Sequence, residues 1–130
     1  MNYVHIVAVL AILQFFLFGI LVGRARAKHG IRAPSVTGNE QFERAFRVHM
    51  NTLEQLVGFL PALLLADVYW SSEIVAGTGT IYLIGRFVYR QSYLADPTKR
   101  GLGFLLTVAP TFALLAVVVA GAITANGLEV

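Results

Sequence analysis

Four long stretches of this chain are dominated by apolar residues, and the breaks between them are mostly short. Tyr3–Val22 is almost unbroken, and the next, about Phe42 to Trp70, is polar in its first half and apolar in its second. Two more follow, from about Ile74 to Ala95 and from about Pro97 to Thr124. A hydrocarbon core of about 30 Å takes roughly 20 helical residues to cross, so each stretch predicts a membrane-spanning helix. The expected helices cover about residues 3–27, 42–70, 74–95 and 97–124 of one domain, 1–130. The connections Ser71-Ser72-Glu73 and Ala95-Asp96-Pro97 are short and predict antiparallel neighbours. The longer one, about Arg24 to Gln41, contains Gly30, Pro34 and Gly38 and reads as a loop. Pro61 and Pro110 fall inside helices, where each frees a carbonyl. Gly19-x-x-x-Gly23 permits close helix packing.

Composition strengthens this picture. The sequence is 57% hydrophobic and only 13% charged, against about 25% in a soluble domain. The expected class is therefore an all-α integral membrane protein, a four-transmembrane-helix bundle. There is no cysteine, which excludes disulfides, a thiolate nucleophile and zinc–thiolate sites. Any thiol chemistry must come from a ligand.

The ten Lys and Arg residues fall in two clusters. Arg24, Arg26, Lys28, Arg32, Arg44 and Arg47 follow the first apolar run, and Arg86, Arg90, Lys99 and Arg100 surround the last junction. A nucleic-acid surface is one use of such clusters, but orientation in a bilayer accounts for them better. The positive-inside rule puts both basic connections in the cytoplasm and both termini outside, the C-terminus carrying only Glu129. The first run is no signal peptide on this reading, because its arginines follow the apolar stretch.

Within the apolar frame, two polar stripes stand out. Arg47, Asn51 and Glu54 are spaced i, i+4, i+7, and Arg86, Tyr89 and Tyr93 are spaced i, i+3, i+7. Counting inward from Trp70 and Ile74 puts Glu54 and Tyr89 about 22–24 Å deep, Asn51 and Tyr93 about 28 Å, and Arg86 about 18 Å. A charge at a helix centre costs roughly 2.5–3.5 kcal/mol, so these groups are expected to face other helices or a wet cavity. An interhelical network is the structural reading. A functional one is a site for a small zwitterion or peptide, since arginines clamp carboxylates, Glu54 can receive an ammonium, and Asn51 and the tyrosines give directional hydrogen bonds.

The segment FERAFRVHMNTLE, Phe42 to Glu54, resembles the second-helix signature of the MAPEG family, membrane-associated proteins of eicosanoid and glutathione metabolism. The family pattern R-x-x-x-N-x-x-E with a later proline is met by Arg47, Asn51, Glu54 and Pro61. GRFVYRQSYLADPTKR, Gly85 to Arg100, is similar to the family's R-x-x-Y-x-x-x-Y stretch with its following basic residue. The resemblance implies a homotrimer with glutathione sites between subunits, opening to the cytosol, with no metal. It implies that Arg47, Asn51 and Glu54 hold the tripeptide's charged groups, joined by Tyr89 and Tyr93 from the adjacent subunit and by Arg26. His49 lies in the binding stretch as a possible glutathione contact or a structural residue. Arg100 matches the arginine that stabilises the thiolate. Ala27 and Gln55 depart from the leukotriene C synthase branch, which has an arginine and a tyrosine there.

The implied activity is a microsomal-type glutathione transferase, with or without peroxidase activity, acting on hydrophobic electrophiles or lipid hydroperoxides from the bilayer. The alternatives are a non-catalytic binding protein like the lipoxygenase-activating branch, and a small transporter subunit. In the bilayer the partners are lipid, glutathione and further copies of the chain.

Overall fold

The computed structural model describes residues 1–128, with side chains to Ala125; Glu129, used above for the C-terminal orientation, lies outside them. The chain forms α1 (Tyr3–His29), α2 (Glu40–Tyr69), α3 (Ser72–Ala95), a 3-10 turn (Pro97–Lys99) and α4 (Gly101–Leu128). Local chemistry sets the ends. The Asn2 side chain accepts from His5 N–H at 3.0 Å and caps α1. Gly30, at φ 69°, stops the helix in the left-handed conformation and returns its N–H to the Arg26 carbonyl. Arg24, Arg26 and Lys28 are therefore helical, and the expected loop from Arg24 shrinks to residues 30–39. Basic side chains suit a helix C-terminus, so the first charge is not the stop signal. Asn39 caps α2 by accepting from Phe42 N–H at 3.0 Å, and Glu40 and Glu43 occupy its first turn.

The start of the last helix also differs from expectation. Asp96 accepts from the Thr98 N–H at 3.0 Å and its hydroxyl at 2.8 Å. That cap builds the 3-10 turn on Pro97, and α4 begins only at Gly101.

Antiparallel packing is visible in three successive pairings of α2 with α3. Phe59 stacks on Tyr82 at 3.7 Å, Asn51 meets Arg86 at 2.9 Å, and Arg44 reaches the Leu94 carbonyl at 2.9 Å. The core joins Val4, Val7 and Ala11 of α1 to Phe59, Ala62 and Leu63 of α2 and Val75 and Tyr82 of α3. Close approaches rely on glycine. A Cβ on Gly103 would lie 2.4 Å from the Tyr89 backbone, and one on Gly85 2.7 Å from that of Leu106, so α3 and α4 touch backbone to backbone. Of the GxxxG pair, a Cβ on Gly19 would lie 3.1 Å from the His49 ring, whereas one on Gly23 would meet nothing within 4 Å.

Three helical segments are long and apolar enough to cross a membrane: Tyr3–His29, Glu40–Tyr69 and Pro97–Ala125. The 24-residue α3 has the length, but Glu73, Arg86 and Arg90 dilute its apolar character. Outward-facing residues are large and apolar, with Phe16 58%, Val57 70%, Phe112 65% and Ile123 68% exposed. Such a surface is unsuited to water and suited to hydrocarbon. The protein is an integral membrane helical bundle.

Candidate binding site

The stripe on α2 divides in two. Arg47 and Glu54 are two turns apart and nearly eclipsed, so their half-exposed side chains meet in an ion pair at 3.2 Å. Asn51, rotated about 40° from Arg47, turns inward and is only 8% exposed.

Inside, Asn51 joins a polar network centred on Arg86, which is completely buried. Arg86 Nη2 donates to Asn51 Oδ1 and to Thr52 Oγ1, both at 2.9 Å, and Nη1 donates to Thr107 Oγ1 of α4 at 3.3 Å. Its guanidinium lies 4.4 Å from the centre of the Tyr89 ring. One side chain thus links α2, α3 and α4. The depth count placed Arg86 about 10 Å from the level of Asn51, yet the two are bonded. A count along the helix locates Cα atoms, whereas the long arginine stem carries its head toward the polar level.

Outside the network lies a cleft of about 430 Å³, within the range of small-molecule sites. Glu40, Glu43, Arg44 and Arg47 of α2 form one side, and Tyr93 and Pro97 form the other. Arg44 is held by an ion pair to Glu40 and by bonds to the Leu94 and Ala95 carbonyls at 2.9 and 3.2 Å, which cap the end of α3. Tyr93 stacks on Tyr89 with ring centres 5.6 Å apart. Arg100 Nη1 donates to the Pro97 carbonyl at 2.8 Å, which ties this exposed arginine to the cleft rim. The structure therefore brings Arg47, Tyr93 and, through Pro97, Arg100 together within one chain. The expected supply of the tyrosines by an adjacent subunit is not needed for that juxtaposition.

Of the eight expected site residues only Arg47 and Tyr93 line this cleft; Glu54, Asn51, Tyr89 and Arg100 adjoin it through the Arg47 ion pair, the Arg86 network, the Tyr93 stack and Pro97, and two stand elsewhere. Arg26 donates to the Ser35 carbonyl at 2.6 Å and stacks 4.8 Å above Phe42, outside the residues lining the cleft. His49 faces α1, stacked on Phe15 at 4.5 Å and abutting Gly19, also away from the cleft. Conversely, the sequence reading passed over Thr52, Thr107 and Arg44. The signal for Arg44 was a second arginine in the FERAFR segment and that for Thr107 a hydroxyl one turn after Gly103, while Thr52 had only its place beside Asn51. Among the described residues no group of three or more His, Cys, Asp or Glu side chains is placed to hold a metal ion.

The sequence profile of the MAPEG family matches residues 4–120. An uncharacterised protein of Synechocystis is 46% identical over 101 residues, 78% of this chain and 74% of its own length. Microsomal glutathione S-transferase 2 of Mus musculus is 38% identical over 116 residues, covering 85% of this chain and 79% of the mouse protein. Leukotriene C4 synthase of Cavia porcellus is 34% identical over 94 residues, 72% and 63% of the respective chains.

Proposed function

The chain belongs to the MAPEG family, and from that premise we propose that it is a membrane-bound glutathione transferase acting on hydrophobic electrophiles drawn from the bilayer. The observation that carries the reading is the cleft in which Arg47 faces Tyr93 and Pro97, with Arg100 fixed on its rim. The kinship with microsomal glutathione S-transferase 2 supports the choice of thiol. The protein has no cysteine of its own, so the sulfur comes from the bound tripeptide.

In this reading Arg47, Asn51, Glu54, Tyr89 and Tyr93 bind glutathione on the cytoplasmic side. The assembly is a homotrimer, and Arg26 serves the cleft of a neighbouring subunit. Arg100 stabilises the thiolate. A thiol of pKa about 8.5 must drop by about 1–2 units to be mostly ionised at pH 7, equivalent to about 1.4–2.7 kcal/mol. A cation about 4 Å away supplies up to about 4 kcal/mol at an effective dielectric of 20, so one arginine is sufficient. The thiol proton passes to water, the thiolate sulfur bonds to the electrophilic carbon, and the leaving group departs with its electron pair. With a lipid hydroperoxide, the thiolate sulfur would instead bond to the terminal oxygen as the O–O bond breaks, leaving an alcohol and a sulfenic acid, which a second glutathione converts to the disulfide with loss of water.

The test is ultraviolet difference spectroscopy on adding glutathione to the reconstituted protein, paired with conjugation of chlorodinitrobenzene. The expected result is a thiolate band and turnover, both reduced at least tenfold in Arg100→Ala. A protein that binds glutathione but shows neither band nor conjugation is a binder and not a transferase.

A further inference from the structure

Arg86 takes no part in that scheme, yet it is the largest fully buried side chain. Neither ion pair among the described residues involves it. Its partners are neutral oxygens, and their polarity is fixed by chemistry. A guanidinium has donors and no acceptor, so every group that hydrogen-bonds to it must turn a lone pair toward it. Thr52 and Thr107 satisfy this because their own hydroxyl protons go to the Val48 and Gly103 carbonyls, each at 2.8 Å. Asn51 satisfies it by turning Oδ1 inward at 2.9 Å.

The consequence lies on the other side of the amide. With Oδ1 committed to Arg86, the Nδ2 group has to point away from it, and it has no hydrogen-bond partner among the described residues. Asn51 keeps 8% of its surface exposed, on the turn between Arg47 and Glu54. We propose that Arg86 is a positioning residue that locks Asn51 as a hydrogen-bond donor toward the bound ligand, so that Asn51 selects an acceptor oxygen, a peptide carbonyl or a carboxylate. This deepens the proposed function and rests on it. The ligand's ammonium is thereby excluded from Asn51 and directed to the carboxylates of Glu54 or Glu43. Arg86 itself never touches the ligand.

Two variants test the assignment in protein reconstituted in lipid nanodiscs, with glutathione binding, KM, kcat and melting temperature measured together. Asn51→Asp is nearly isosteric and can still accept from Arg86, but it presents an acceptor oxygen where a donor is needed. Its glutathione Kd and KM should rise about tenfold or more, with kcat within about threefold and no loss of melting temperature. Arg86→Met keeps much of the stem and frees the amide to turn, and it should raise Kd in the same sense. If the wild-type protein binds glutathione and Asn51→Asp binds it within twofold as well, Arg86 is a structural tie only and the inference falls. If Asn51→Asp loses binding only in step with its melting temperature, the inference falls too. A wild-type protein that binds no glutathione overturns the functional reading and this inference with it.

Discussion

Gly103 and Tyr89 decide how closely α4 can approach the site. Any side chain at position 103 would run into the Tyr89 backbone, since a Cβ there would lie 2.4 Å away. Gly103→Ala must push α4 from α3, and overpacking of this kind costs about 1–3 kcal/mol. It should also displace Tyr89, whose ring lies against both Arg86 and Tyr93. We expect a lower melting temperature and a raised KM for glutathione, whereas Gly23→Ala, with nothing within 4 Å, should change neither. A Gly103→Ala protein with wild-type melting and KM would show that the two helices part without consequence. The residue scale is also where the sequence was least informative. Spacing put Arg47, Asn51 and Glu54 on one face, but it took the tertiary packing to separate the exposed ion pair from the inward amide.

The elements were legible wherever an apolar run met a recognisable end signal. All four helices arise from the expected runs, and Gly30 and Asn39 account for the two ends that moved around the long connection. Asp96-Pro97 has the chemistry of an N-cap followed by a first helical residue, and the 3-10 turn ahead of α4 obeys it over a shorter span than the helix expected from about Pro97. Hydrogen bonds from Thr98, side chain first and backbone second, hold the Asp96 carboxyl below the ordinary aspartate range. A depressed carboxylate contributes stability above the unfolded pKa and loses it as pH falls through the folded value. Melting curves of the wild type and Asp96→Asn should therefore differ most near neutrality, in favour of the wild type. The difference should shrink as pH drops below about 3.9. A pH-independent difference would mean that the turn is held by something other than this charge.

At the scale of the molecule, the surface of one chain is two different materials. Most of it is apolar and fits lipid, while the N-terminal half of α2 exposes the Arg47–Glu54 pair and the acids of its first turn. Charges that cost roughly 2.5–3.5 kcal/mol each in hydrocarbon are not left facing acyl chains. The face that carries them has to be covered by ligand, water or another copy; in the assembly proposed above a neighbouring copy is part of that cover. It also bears on Arg26, which sits on α1 outside its own chain's cleft. If that arginine completes a neighbour's site, Arg26→Ala and Arg100→Ala should each raise KM or abolish turnover alone, yet co-expressed and purified as mixed assemblies they should regain part of the wild-type rate. The recovered rate comes from clefts whose own chain keeps Arg100 and whose neighbour supplies Arg26. Light scattering on the same preparation should give three times the mass of one chain after detergent is subtracted. A monomeric mass, or mixed assemblies as inactive as either parent, would place Arg26 in a purely local role at the end of α1, where the Ser35 carbonyl and the Phe42 ring already hold it.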